Sequence, residues 1–304
     1  MLKSPVLLIG YNRPHLFEAN LLRILHWNPP HIYISIDGPK EFTDNSSWFE
    51  LVKLLEKFKE TKNITIWISK KNLGMTVNTV KSISRAISNE KSLIILEDDA
   101  EIFYNAYISI CNLLNSNLAK PYSIISGFSS LPAPASLIQK LIRNKFRPAT
   151  YCSIWGGWGI TRDKWSLYEL DISHLDINLI LSKSKLWERL SPRQQNIWKS
   201  RFNKVLSDPV KTWDYQLQFM FFRYDLPGLS PIFRATDNVG FSDTRSTNTK
   251  GKKPKFYFGK TDYRQINGIS NSNFTRKIMD FADSFSDLIP FLKNILEFKF
   301  FTRY

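Results

Sequence analysis

Four short apolar runs recur through the first hundred residues, and the stretches between them carry apolar residues at helical spacing. The runs are Val6 to Ile9, His31 to Ile36, Ile64 to Ile68 and Ser92 to Leu96. Each is short and dominated by apolar residues, the mark of a buried strand. Between them lie Leu16, Leu21, Leu22, Ile24 and Leu25, then a charged amphipathic stretch from Trp48 to Lys59, then a segment that Asn72-Leu73-Gly74 opens and that runs to about Ile87. This alternation predicts an α/β fold with a mostly parallel, doubly wound sheet and right-handed crossovers. Ligands of such sheets sit outside the carboxyl ends of the strands.

That rule selects residues. Arg13 follows the first run, within Gly10-Tyr-Asn-Arg-Pro14, and Asp37 follows the second. Lys70, Lys71 and Asn72 follow the third, and Glu97-Asp98-Asp99 with Glu101 follow the fourth. Neither G-x-G-x-x-G nor G-x-x-x-x-G-K-[ST] occurs, so the dinucleotide fingerprint and the P-loop are both absent. Three carboxylates behind a buried strand repel one another unless a cation sits between them. Oxygen ligands alone suit Mg²⁺ or Mn²⁺, which keep waters and share the phosphate oxygens of a substrate. The plainer alternative is a solvated helix start, where acids are also favoured.

Composition closes off other classes. Hydrophobic residues make up 43% of the 304 and charged residues 23%, which excludes a disordered or collagen-like chain. Two cysteines, Cys111 and Cys152, exclude a disulfide scaffold, suit a reducing compartment and read as buried structural thiols. His15, His26, His31 and His174 form no ligand-spaced pair, so a zinc site is not expected. The opening apolar run is too short for a signal peptide and no transmembrane helix is expected, which predicts a cytoplasmic protein. The net charge of +15 points to a polyanionic partner: nucleic acid, an acidic membrane or a phosphorylated small molecule.

The run Ile94-Ile-Leu-Glu97-Asp98-Asp99-Ala-Glu101 resembles the metal-binding motif of GT-A glycosyltransferases, in the Glu-Asp-Asp form of the N-acetylglucosaminyltransferase I-like group. Gly10 to Pro14 and Ile36-Asp37-Gly38 are similar to that group's nucleotide-contacting segments, and Asn72-Leu73-Gly74 before a helix recurs in GT-A enzymes. Trp155-Gly-Gly-Trp158-Gly-Ile-Thr-Arg162, Trp213-Asp214-Tyr215-Gln216 and Asp237 to Thr244 resemble segments of bacterial nucleotide-diphospho-sugar transferase homologues. The resemblance spans roughly residues 5–250, and the order of the motifs is more specific than any one of them. It implies a GT-A domain over 1–250, with a nucleotide-binding half (1–100) and an acceptor half (101–250), followed by a basic loop and a C-terminal helical extension over 251–304.

The resemblance also implies roles. Arg13, Asp37, Lys70, Asn72, Glu97 and Asp98 would line the nucleotide-sugar side. Asp99 would ligate Mn²⁺ or Mg²⁺, and Asp214 would be the base that deprotonates an acceptor hydroxyl. Where the bacterial homologues carry a histidine near the end of the segment matching 244–249, this chain has none, which leaves the phosphate contact to Arg245.

The chemistry is coherent without the family. Sugar transfer from a nucleotide donor needs cations against the leaving diphosphate and a carboxylate base for the acceptor. Trp155, Trp158, Trp213 and Tyr215 would supply platforms for sugar faces, with Gly156-Gly157 allowing close backbone approach to the ligand. The bland readings are core packing for the tryptophans and a helix-start acid for Asp214. A single base favours an inverting displacement.

Residues 183–206 read as helices with Lys and Arg on the wet face, shaping the acceptor side. The stretch from Thr244 to Lys255 reads as a mobile basic loop, either a lid or a linker. From residue 250 onward, 11 Lys and Arg against 5 Asp and Glu place +6 of the charge in a tail that would rest on an anionic membrane, inside the cell, or pack on the domain.

A glycosyltransferase in surface-polysaccharide synthesis, acting on a saccharide or lipid-linked saccharide acceptor, is therefore the leading expectation. A nucleotidyltransferase that forms sugar nucleotides is the alternative, although Tyr11-Asn-Arg-Pro14 is a poor match to its Gly-rich loop. A nucleic-acid-binding protein is not expected, because no recognisable binding module is present.

Overall fold

The four apolar runs fold as strands: Val6–Gly10 (β1), Ile32–Ile36 (β2), Ile64–Ile68 (β3) and Ser92–Glu97 (β4). The computed structural model describes residues 2–41, 45–132, 143–243, 261–270 and 272. Arg245, the basic stretch 244–255 and the tail from Phe274 lie outside the described residues. The strands pair in parallel in the order β3-β2-β1-β4, and the intervening segments are helices Pro14–Trp27 (α1), Ser46–Glu56 (α2) and Met75–Ile87 (α3).

Side chains alternate across a strand, so each strand feeds two cores. Val6, Leu8, Ile94 and Leu96 join one core with Phe17, Leu21 and Ile24 of α1 and Leu51 and Leu55 of α2. Leu7, Ile9, Leu93 and Ile95 join the other with Ile83, Ala86 and Ile87 of α3. Proline at the first position starts α1, and Asn28 ends it in the left-handed region at φ 50°, a conformation asparagine tolerates.

The second hundred residues add what the pattern did not announce. Ala100–Ile102 (β5) leads into Tyr104–Leu114 (α4), and Ile125–Ser126 (β6), Phe146–Ala149 (β7), Trp158–Thr161 (β8) and Gly228–Pro231 (β9) extend the main sheet. The eight strands run β3-β2-β1-β4-β8-β6-β9-β7, with β8 antiparallel to β4 and β6, and β7 antiparallel to β9. The sheet is thus mixed: parallel in its first half, largely antiparallel in its second. Thr236–Asn238 (β10) pairs with β5 as a separate two-stranded ribbon.

Between β8 and β9 lies a helical insertion: Arg162–Trp165 (α5), Ile177–Lys183 (α6), Lys185–Glu188 (α7), Pro192–Ser207 (α8) and Asp214–Arg223 (α9). A reciprocal capping box between Ser191 and Gln194, with Pro192 at the first position, starts α8. Trp187, Trp198, Phe202 and Phe219 to Phe222 bury this insertion onto the second core. Among the described residues no helix is long and apolar enough to cross a membrane.

Candidate active site

The strand order reverses direction at β1: β2 and β3 lie to one side and β4 to the other. A crevice forms outside the carboxyl ends of the strands at such a switch point. Here it is a cleft of about 500 Å³. Its lining includes Tyr11 to Arg13 after β1, Asp37 after β2, Asn78 and Thr79 of α3, Glu97 to Asp99 at the end of β4, Ile154 and Trp155 before β8, Lys204 of α8, the Lys211 to Tyr215 segment entering α9, and Asn238 of β10.

The cation that the acidic cluster demands comes first from the chain itself. Arg13 grips Asp98 with two nitrogens, Nε to Oδ2 at 3.1 Å and Nη2 to Oδ1, and gives Nη1 to Asp99 Oδ2 at 2.9 Å. Burial alone would lower the pKa of the guanidinium, but the two carboxylates outweigh it and the net shift is upward, so Arg13 stays charged. The expectation that Arg13 reaches out to the nucleotide therefore changes: its hydrogen bonds run to the acidic cluster. Glu101 is held separately by Arg23 at 2.7 Å, and Asn20 donates to the Asp98 backbone carbonyl at 2.7 Å, fixing the turn from below.

One oxygen escapes this network. Asp99 Oδ1 is buried and, among the described residues, has no hydrogen-bond partner, which is a costly state for a carboxylate oxygen and a fitting one for a metal ligand. Among the described residues no group of three or more His, Cys, Asp or Glu converges as a metal cage. The donor set thus fits a hard cation that takes one protein carboxylate and draws its remaining ligands from substrate and water. Burial, with Asp99 and Asp98 close by, pushes Glu97 up to about 8. Burial also lifts Asp98 to about 6, although Arg13 pulls the other way.

The Asp237 to Thr244 motif finds its reason here. Val239 N–H bonds the Asp99 carbonyl at 2.9 Å, and a Cβ on Gly240 would stand 2.3 Å from Asp99 Oδ2, so only glycine lets this turn close over the carboxylate. The Gly156-Gly157 pair is explained differently from the expectation. A Cβ on Gly156 would collide with the Thr236 side chain, and Gly157, at φ +95°, would meet Leu96. The close approach is of backbone to protein, in the joint between β4, β8 and β10.

Asp214 is the first residue of α9 and lines the cleft. Its Oδ1 accepts from the Thr212 hydroxyl, and burial raises its pKa above the usual carboxylate range against that hydrogen bond. The helix-start acid and the cleft-lining carboxylate are the same residue. The tryptophans divide. Trp155 is 40% exposed at the cleft, whereas Trp158 is 1% exposed, stacked on Trp213 with ring centroids 5.8 Å apart, and absent from the cleft wall. Trp158 is core, a correction to its expected role as a platform. Trp213, itself 3% exposed, still contributes an edge to the cleft, as does Tyr215.

Asp37 Oδ1 accepts from the Gly38 and Leu73 amides at 2.8 Å each, stapling the loops after β2 and β3 together while the residue lines the cleft. Asn72 adds to the staple by donating to the Gly38 carbonyl at 2.7 Å, and Lys70 is exposed; neither lines the cleft. Both were expected on the nucleotide side of the cleft. The sequence reading missed Asn78, Thr79, Lys204, Lys211 and Asn238, all of which line the cleft. The available signal for Asn78 and Thr79 was a polar pair on the face of α3 that carries Ile83, Ala86 and Ile87 inward.

No family model and no curated protein matches the chain. Among solved structures it is similar to the mannosyltransferase PcManGT from Pyrobaculum calidifontis, in complex with GDP-Man and Mn²⁺, at 12% identity over 73% of this chain and 70% of that chain, with a TM-score of 0.37. It is also similar to the glycosyltransferase GlyE of Streptococcus pneumoniae TIGR4, at 15% identity over 76% of this chain and 54% of that one, with a TM-score of 0.28. Overlaps this loose decide nothing about chemistry, which the geometry of the cleft has to supply.

Proposed function

We propose that this chain is a metal-dependent glycosyltransferase that moves a sugar from a nucleoside-diphosphate sugar to a saccharide hydroxyl. The observation that carries the reading is the buried, unpartnered Asp99 Oδ1 in the same cleft as Asp214. A metal-binding oxygen and a base with a raised pKa are the two groups that displacement of a diphosphate by an alcohol needs.

A divalent cation, Mg²⁺ or Mn²⁺, held by Asp99 would neutralise charge on the departing diphosphate. The residues of the chain do the rest. Arg13 locks Asp98 and the second oxygen of Asp99, so the free oxygen has one position. The strand-end half of the cleft sets Asp37, Asp98 and Asp99 against Arg13 among the described residues and so repels a bare diphosphate, which makes nucleotide binding depend on the metal.

On the other side Asp214 accepts the acceptor proton on its carboxylate. The acceptor oxygen bonds to the anomeric carbon as that carbon's bond to the diphosphate breaks, and the electron pair leaves with the diphosphate. Thr212 holds Asp214 Oδ1 in place for this step. One base and one displacement give inversion at the anomeric carbon.

Release of nucleoside diphosphate across a panel of sugar nucleotides with Mn²⁺ tests the reading. Asp99→Asn and Asp214→Asn should each cut the rate by on the order of 100-fold or more. Full activity in both variants overturns the site. Stabilisation by nucleoside triphosphates alone would favour a nucleotidyltransferase.

A further inference from the structure

Charge is divided unevenly around the cleft. The strand-end half carries the carboxylates. The side formed by α8 and the loop after it carries cations: Lys204 and Lys211 line the cleft, and Arg201 lines a side pocket of about 130 Å³ that shares Ile154, Trp155, Asp214 and Tyr215 with it. Arg201 and Lys204 stand three residues apart on α8 and so share a face. The Arg201 guanidinium lies 4.5 Å from the Trp198 ring centroid and 5.6 Å from that of Tyr215, and it hydrogen-bonds the Tyr215 side chain. Among the described residues Asp214 is the only carboxylate lining the side pocket, and Asp208, in the loop after α8, lines neither cavity.

A neutral sugar is held by aromatic faces and neutral hydrogen-bonding groups, which Trp155, Tyr215 and Gln218 already offer here. Three cations around one base are more than neutral recognition needs, and an anion brought next to Asp214 would be repelled without them. We infer that the acceptor is an acidic saccharide, whose carboxylate or phosphate lies beside Asp214 and is received by Arg201, Lys204 and Lys211. The inference rests on the glycosyltransferase reading and names the acceptor class of that same site.

The full chain, loaded with a nucleoside diphosphate and Mn²⁺, is titrated with methyl β-glucuronide, glucose 6-phosphate and methyl β-glucoside, and binding is followed by tryptophan fluorescence. The two acidic probes should bind about tenfold tighter than the neutral one, the size of a charge-assisted hydrogen bond. Whichever acidic probe binds tighter identifies carboxylate or phosphate as the source of the charge. Arg201→Gln should bring the preference close to one. Lys204→Gln and Lys211→Gln, at exposed positions that tolerate the change, should each reduce it by about twofold to fivefold and decide the matter if Arg201→Gln does not fold.

Equal binding of acidic and neutral probes overturns the inference. So does a preference that survives all three substitutions while nucleoside-diphosphate affinity falls, because the cations would then serve the donor. Failure of the nucleoside diphosphate to bind with Mn²⁺ would instead remove the glycosyltransferase reading, and this inference with it.

Discussion

Arg13 ties Asp98 and Asp99, 85 and 86 residues away in the chain, into one network at the end of β4. Burial, with Asp99 and Asp98 close by, sets the charge of Glu97. Its pKa rises from an ordinary 4.5 to about 8 in the metal-free protein, so between those values the folded state holds a proton that the unfolded chain has released. Stability therefore falls as pH rises through that window. The melting temperature of the metal-free protein should drop from pH 5 to pH 8, and Glu97→Gln should flatten that slope; an unchanged slope in the variant would contradict the assignment. Asp214, whose pKa burial also raises, must be deprotonated to act as a base. The acid limb of the kcat profile should then lie above the usual carboxylate range and disappear in Asp214→Asn, a result read from initial rates at saturating donor.

Elements explain which tryptophans matter to what. Trp158 sits in β8 with its ring against Trp213, and Trp155 lies three residues earlier, before the turn at Gly156-Gly157. Trp158→Ala should cost about 3–5 kcal/mol in chemical denaturation, as large aromatic truncations in cores do. Trp155→Ala should leave the denaturation midpoint nearly unchanged and raise the acceptor KM; a fully stable Trp158→Ala would contradict the division. Spacing gave both residues the same expected role, since a Trp-Gly-Gly-Trp run does not reveal which ring the sheet buries. Strands β1, β2 and β4 were legible because parallel strands buried on both faces read as near-continuous apolar runs, and β3, half-buried at a sheet edge, from its β-branched and aromatic run. The later ones were not: β6 is two residues, and β7 and β9 contain Pro148 and Pro231. Pro148 is accommodated because β7 is the edge strand of the order. Lys204 was hidden for a related reason, since a lysine on an amphipathic helix reads as its solvated face until the fold shows that the face borders a cleft.

At the scale of the whole molecule, the sheet brings the end of β4 and the start of α9 into one cleft although 115 residues separate Asp99 from Asp214 in the chain. The net charge of +15 offered nucleic acid as a partner at first sight, yet the strand-end half of the cleft, where the proposed function puts the nucleotide, is the acidic half. On the proposed function, a nucleoside diphosphate therefore binds here only through a divalent cation at Asp99. Thermal shift with a panel of nucleoside diphosphates, each with Mn²⁺ and with chelator, in the wild type and in Asp99→Asn, tests it most directly. The expected result is stabilisation by one nucleotide that needs Mn²⁺, vanishes with chelator and is lost in Asp99→Asn. Equal stabilisation without metal, or full stabilisation in Asp99→Asn, would contradict it.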